Sequence, residues 1–170
     1  MDKRISVIIG DITKQETEAI VNAANTSLLG GGGVDGAIHR VAGRELLEEC
    51  KTLNGCPTGE AKITKGYNLK AKYVIHTVGP VWNGGKYSEE EKLANCYRNS
   101  LSLTVKNNIK SISFPSISTG VYRFPVNRAS QIAIREINNF LKSDKSLQKI
   151  VIVCFDKNTY DAYVSALKEK

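Results

Sequence analysis

Between Val21 and His39 the chain reads VNAANTSLLGGGGVDGAIH. Two carboxamides, Asn22 and Asn25, follow an apolar run, and four consecutive glycines, Gly30, Gly31, Gly32 and Gly33, come next. A helical stretch opens at once, with Asp35 in its first turn and His39 one turn later. Glycine loses more backbone entropy on folding than any other residue, so a run of glycines implies that the backbone itself must approach something. A helix start supplies unpaired N–H groups and the positive end of a dipole, which suits an anion such as phosphate. The stretch therefore reads as a backbone cradle for a phosphate-containing ligand, beside one carboxylate and two amides.

Each of these side chains also has a plainer use. Asp35 complements the helix dipole without any ligand. Next to a bound phosphate it would be repelled, so in the cradle reading it must face a hydroxyl or a water, a geometry that suits orienting or activating a nucleophile. Asn22 and Asn25 can close the strand end and turn, or donate to and accept from the vicinal hydroxyls of a sugar. His39 reads first as a satisfied structural histidine. Asp11 can close a turn toward Thr13; alternatively its carboxylate, with the N–H of Ile12, matches the exocyclic amine and N1 of adenine. Ser118, Thr119 and Gly120 form a second small-residue loop that is either an ordinary strand-to-helix turn or a partner jaw for the first. Tyr122 and Phe124 flank it, as pocket lining or as packing.

Gly31-x-Gly33-x-x-Gly36 formally matches the dinucleotide fingerprint. It does not follow its strand closely, and no acidic residue stands at the end of the next strand, so a nicotinamide site is disfavoured. A P-loop is absent as well.

The elements that must position these residues alternate. Ile5 to Ile9, Ala19 to Ala23, Ala61 to Tyr67, Tyr73 to Val78, Ser111 to Phe114 and Lys149 to Phe155 read as strands. The spacing of Val34, Ala37, Ile38, Val41, Ala42 and Leu46 predicts one amphipathic helix ending near Asn54-Gly55. Ser88 and Glu91 have the spacing of a capping box for a helix running to about Asn107. Pro125 suits the start of a further helix, and a last one begins near Thr159. Near-continuous apolar strands alternating with helices predict an α/β three-layer α/β/α sandwich with a mixed central sheet. Ligands of such sheets bind beyond the carboxyl ends of the strands. The loops after residues 9, 21, 115 and 155 can converge there.

The 170 residues are enough for one domain over 1–170 with a sizeable core. No apolar run approaches the roughly 20 residues that span a bilayer. The N-terminal MDKRISVIIGD reads as a first strand and not as a signal peptide. Lys and Arg number 24 against 17 Asp and Glu, a net charge of +7. That excess is compatible with an acidic ligand or nucleic acid, but the lysines are scattered without interleaved aromatics, so nucleic acid is not favoured as the main partner. Cys50, Cys56, Cys96 and Cys154 show no C-x-x-C and, with His39 and His76, no zinc spacing. Reduced, buried thiols in a cytoplasmic protein, with no metal and no cofactor, are the expectation.

Taken together, Gly10-Asp11-Ile12-Thr13, Val21-Asn22-Ala23-Ala24-Asn25, Gly31 to His39, Thr58-Gly59-Glu60-Ala61, His76-Thr77-Val78-Gly79-Pro80 and Ser118-Thr119-Gly120-Val121-Tyr122 resemble, in order, the motifs of a macrodomain. The similarity is to the MacroD-like branch of ADP-ribosyl hydrolases and covers nearly the whole chain. It implies an α/β/α sandwich that binds ADP-ribose, with Asp11 and Ile12 on adenine and Phe155 also in the binding set. The diphosphate would lie between Gly31, Gly32, Gly33 and Val34 and the second loop, Ser118, Thr119, Gly120, Val121 and Tyr122. Asn25 and Asp35 would be catalytic at the distal ribose, with Asn22 close by. The implied reaction is hydrolysis of ADP-ribose esters: removal of mono-ADP-ribose from acidic side chains of proteins, and deacetylation of O-acetyl-ADP-ribose, by a monomer. A non-catalytic reader of ADP-ribose is the alternative. One departure is Arg123, in Tyr122-Arg123-Phe124-Pro125, where the family commonly has glycine; it adds charge and bulk at the end of the second loop.

Overall fold

The computed structural model describes residues 2–169. Six strands form one sheet in the order β1-β6-β5-β2-β4-β3. They are β1 (Ile5–Ile9), β2 (Ala19–Ala23), β3 (Ala61–Lys65), β4 (Tyr73–Thr77), β5 (Ser111–Pro115) and β6 (Lys149–Cys154). All pairings are parallel except β3 with β4, a hairpin in register at Ile63 and Ile75. Five helices connect or follow them: α1 (Gly33–Ala42), α2 (Arg44–Thr52), α3 (Glu89–Lys106), α4 (Val126–Ser143) and α5 (Lys157–Lys168).

The layering follows from the two-residue period of a strand. In β6, Ile150, Ile152 and Cys154 face a core shared with Tyr97, Leu101, Ile137 and Tyr163, whereas Val151 and Val153 face a second core with Ile38 and Leu46. The first core belongs to α3, α4 and α5, the second to α1 and α2. A strand covered on both faces has no use for polar residues, which is why β6 reads KIVIVC. This is the α/β/α sandwich with a mixed sheet. All four cysteines are buried and unpaired.

The sheet is not evenly zipped. β2 pairs with β4 from Ala19 to Ala23 and β5 pairs with β6 over its whole length, yet β2 and β5 pair only at Ala19–Ile112 and Ile20–Ser113. Beyond Ile20 the two central strands are no longer paired, so the loops that follow them leave the sheet from separated ends.

Two local expectations change. The single helix predicted from Val34 is two, α1 and α2, broken at Gly43 with φ +90°. The β3–β4 loop forces the break: Asn68 N donates to Ala42 O at 3.2 Å, and a Cβ at residue 43 would stand 2.9 Å from Asn68 Nδ2. The capping box at Ser88 is also absent, because Ser88 is left-handed, at φ +63°, and its side chain makes no cap. Glu89 is used instead, its buried carboxylate accepting from the backbone N–H groups of Asn83, Gly85 and Tyr87 at 2.6–2.9 Å. Burial raises the affinity of this carboxyl for a proton, but the backbone donors outweigh it and bring its pKa to about 2.

Gly43→Ala places a Cβ both in a disfavoured backbone region and against Asn68. It should lower stability by about 1–3 kcal/mol, read from the urea midpoint at unchanged slope; an unchanged midpoint would contradict this account of the helix break.

Candidate functional site

The loop after β2 is folded by its own polar groups. Asn25 Nδ2 donates to Gly30 O at 2.9 Å, and Asn25 Oδ1 accepts from Ser27 N at 3.1 Å and Ser27 Oγ at 2.6 Å. The buried Leu28 anchors the turn. The chain then returns so closely over α1 that a Cβ at Gly36 would meet Gly31 O at 2.5 Å. Gly31, Gly32 and Gly33 are exposed, and Val34 is half-buried. No side chain caps α1 at Gly32, and the first bond back to it comes from Gly36 N at 3.2 Å. The N–H groups of Gly33, Val34 and Asp35 therefore have no acceptor within the helix.

Asp35 is 4% exposed. Its Oδ1 accepts from Asn22 Nδ2 at 2.9 Å, with His39 Nε2 3.4 Å away, near enough for attraction but without hydrogen-bond alignment. A Cβ on Gly31 would lie 3.1 Å from Asp35 Oδ2 and 3.2 Å from Asn25 Nδ2, so both groups border that glycine. The Asn22 amide also contacts His76 Nδ1 at 3.1 Å, and His76 Nε2 contacts Thr64 Oγ1 at 2.9 Å. Thr64 spends its only hydroxyl proton on Lys65 O at 3.0 Å. It must therefore accept from His76, which places the imidazole proton on Nε2 and leaves Nδ1 to accept from Asn22. The chain Thr64–His76–Asn22–Asp35 is thus directed from β3 through β4 and β2 to the helix start. Burial, with His39 adding repulsion, lowers the His76 pKa from 6.5 to about 3 and keeps the ring neutral. Asn22 Oδ1 and His39 Nε2 are buried without a hydrogen-bond partner.

The loop after β5 turns on Ser118, at φ +67° and 6% exposed. Phe124 N donates to Ser118 O at 2.9 Å and Arg123 N to Gly120 O at 3.0 Å. Thr119 Oγ1 contacts Ser116 O and Oγ, and Ser116 Oγ lies 3.0 Å from Tyr163 Oη. Gly79, after β4, has no side chain because any Cβ there would collide with Ser118 Oγ. Gly120 is open to solvent and Val121 is 91% exposed. Phe124 is core, its ring tilted 56° against that of Trp82 with centroids 4.8 Å apart, whereas Tyr122 lines a cleft and accepts from Trp82 N at 2.8 Å through its carbonyl. Arg123 adopts φ +63° and is exposed.

At the far end of the sheet, Asp11 Oδ1 accepts from Thr13 N at 2.9 Å and Thr13 Oγ1 at 2.7 Å, and these bonds lower its pKa. The turn reading of Asp11 is thus realised, with its other oxygen left over. Ile12 is buried, and Phe155, just past β6, is 92% exposed. The structure gathers Asn22, Asn25, Gly31 and Asp35 into one cluster; the second loop packs on the segment after β4 through Gly79 and Trp82, and its Tyr122 lines the same cleft as Asn25. Asp11, Ile12 and Phe155 stand apart, at the ends of β1 and β6. Sequence reading missed His76 and Thr64, whose role depends on strand register. His39, read first as a satisfied structural histidine and second as catalytic, has its Nε2 without a hydrogen-bond partner. Among the described residues no group of three His, Cys, Asp or Glu side chains is placed to hold a metal ion.

The neutral His76 gives a signed pH dependence. Unfolded, it takes up a proton near pH 6.5; folded, it resists until about pH 3, so stability is full above 6.5 and falls as pH drops. Between pH 6.5 and about 5 the wild type should lose about 1.4 kcal/mol per pH unit more than His76→Gln, measured by urea denaturation across pH. Parallel profiles would refute the burial of a neutral ring.

Comparison with known proteins matches this geometry to a family. A family model described as "Macro domain" matches residues 21–133. A Macro domain-containing protein of Methanosarcina mazei is 58% identical over 166 residues, covering 98% of this chain and 89% of its own. One from Chlorobaculum tepidum is 57% identical over 163 residues, covering 96% and 95%. Among solved structures, a mutant Oceanobacillus iheyensis macrodomain with ADPR superposes with a TM-score of 0.92 at 48% identity, over 96% of this chain and 91% of that one. The Trypanosoma brucei macrodomain in complex with ADP-ribose gives 0.92 at 48%, over 97% of this chain and 69% of that one. By sequence over most of its length and by fold, the chain belongs to the macrodomain family.

Proposed function

We propose that this macrodomain, a single unit over residues 1–170 acting as a monomer, binds ADP-ribose and hydrolyses its esters. The substrates are mono-ADP-ribosylated acidic side chains of proteins and O-acetyl-ADP-ribose. The observation that carries the reading is the Asp35 carboxylate: buried, tied through Oδ1 to Asn22, and bordering the glycine loop through Oδ2. A carboxylate so placed repels phosphate but accepts from a water or a ribose hydroxyl, which fits orienting or activating the water that cleaves the ester. The products are ADP-ribose with its hydroxyl restored and a free carboxylic acid. No step calls for a metal or an organic cofactor.

Solved macrodomains with ADP-ribose and ADP support the ligand class. In this reading the N–H groups at Gly31 to Val34 and at Ser118 to Tyr122 hold the two phosphates across the parted strands. Asp11, Ile12 and Phe155 take the adenine end, and Asn25 and Asp35 meet the distal ribose. Asn25 acts with one amide hydrogen, since its other groups hold the loop. The buried, unpartnered Asn22 Oδ1 and His39 Nε2 agree with a site completed by a polar ligand. Four free buried thiols agree with a reducing cytoplasm.

Wild type should release ADP-ribose from a glutamate-linked mono-ADP-ribosylated target and deacetylate O-acetyl-ADP-ribose. Asp35→Ala should lose on the order of 10²-fold or more; equal turnover would remove Asp35 from the chemistry. Tight ADP-ribose binding with no turnover by wild type would identify a reader module instead.

Asp11→Ala should weaken ADP-ribose binding by about tenfold in calorimetry. Asp11→Asn, which can still accept from Thr13, should weaken it too if the carboxylate meets adenine, and equal affinity of both variants would exclude that contact.

A further inference from the structure

The proposed ligand path has a direction set by strand order. Adenine lies at β1 and β6, the diphosphate at β5 and β2, and the distal ribose at β2. The next carboxyl end along the sheet is that of β4, and there the surface is concave. A cleft of about 270 Å³ is lined by Asn25 and Tyr122 on the side of the site, and by Thr58, Asn83, Tyr87 and Lys92 beyond it. It is continuous with the site, because Asn25 and Tyr122 belong to both.

We infer that this cleft receives the polypeptide that carries the ester, as a short acidic segment around the modified residue. The inference rests on the ADP-ribose reading above, since it takes the distal ribose to lie beside Asn25 and Asp35. Three features support it. First, the outer wall is prefolded: Glu89 ties the backbone of Asn83, Gly85 and Tyr87, while Trp82 is fixed by Tyr122 O, by a tilted contact with the Phe124 ring and by Arg128 5.6 Å above its ring. Such a wall costs little ordering entropy on binding.

Second, the groups offered suit a peptide. Asn83 and Thr58 are exposed and can bond main-chain amides, and Tyr87, 65% exposed, gives a flat face for an aliphatic stem. Third, Lys92 is exposed and makes no ion pair among the described residues. Of the three acids that open α3, Glu89 lines the cleft but has its carboxylate taken up by backbone donors, Glu91 pairs with Arg98 at 2.8 Å, and Glu90 does not line the cleft. Lys86, exposed on the same loop, adds positive charge. The volume lies just below the roughly 300 Å³ at which small-molecule sites begin, which suits a side chain with its neighbours and excludes a second nucleotide.

The test separates a peptide-bearing substrate from a small acyl one. With a glutamate-linked ADP-ribosyl peptide of acidic sequence, Lys92→Glu should raise KM about tenfold with kcat held, and Lys92→Ala less. Both variants should match wild type on O-acetyl-ADP-ribose and in affinity for free ADP-ribose. Equal effects on both substrates, or none on either, would overturn the inference. A hydrolysis-resistant ADP-ribosyl peptide gives a readout independent of turnover: it should bind wild type more tightly than ADP-ribose does, and Lys92→Glu should abolish that advantage. If wild type turns over neither substrate, the hydrolase reading fails, while the binding comparison still decides for or against the cleft.

Discussion

The structure is built around one carboxylate that is buried and only half satisfied. Removing an ionised carboxylate from water costs several kcal/mol unless it is compensated. Asp35 is compensated from one side alone: Asn22 donates to Oδ1, and the N-terminal turn of α1 supplies the positive end of its dipole. Asn22 donates in the right direction only because His76 accepts its other hydrogen, and His76 accepts only because Thr64 holds the opposite ring nitrogen. Three strands are thus committed to orienting one amide. Hydrogen bonds in such a chain polarise one another, so its parts do not act independently.

The same strands set the order of the loops along which the proposed ligand would run. Because β1, β6, β5, β2 and β4 are parallel, their carboxyl ends lie along one edge, and each following loop takes its place by strand order rather than by sequence order. Loops after β2 and β5, far apart in the chain, become neighbours at the point where the strands part. Gly79 and Gly36 then allow close contacts: the first lets the β4 loop touch Ser118, the second lets the glycine loop lie on α1.

Much of this was legible in the residues. The apolar runs gave the strands, and the four glycines marked the exposed, uncapped start of α1 with Asp35 in its first turn. The Ser118 loop gained meaning from its pairing with the first. What was not legible depended on tertiary register. The helix break at Gly43 is caused by a hairpin loop docking from elsewhere, and glycine at that position is tolerated by a continuous helix. The partnership of Asn22, His76 and Thr64 requires knowing that β2, β4 and β3 are adjacent and which faces they share. Asn25 and Asp11 show the opposite failure: their chemistry was visible, but not how much of it the local turns consume.

Two buried carboxylates differ in how fully their oxygens are used. Glu89 uses both oxygens, Oε2 for two backbone N–H groups and Oε1 for a third, and its pKa falls to about 2. Nothing is left for a substrate, and its effect is to fix the loop after β4. Asp35 is nearly as buried, yet only Oδ1 accepts a hydrogen bond while Oδ2 lies beside Gly31. Saturating Asp35 in the same way would gain stability and remove the acceptor that a water or hydroxyl requires. Leaving it unsaturated is tolerable because the helix dipole and the oriented Asn22 stabilise the charge without occupying its second oxygen.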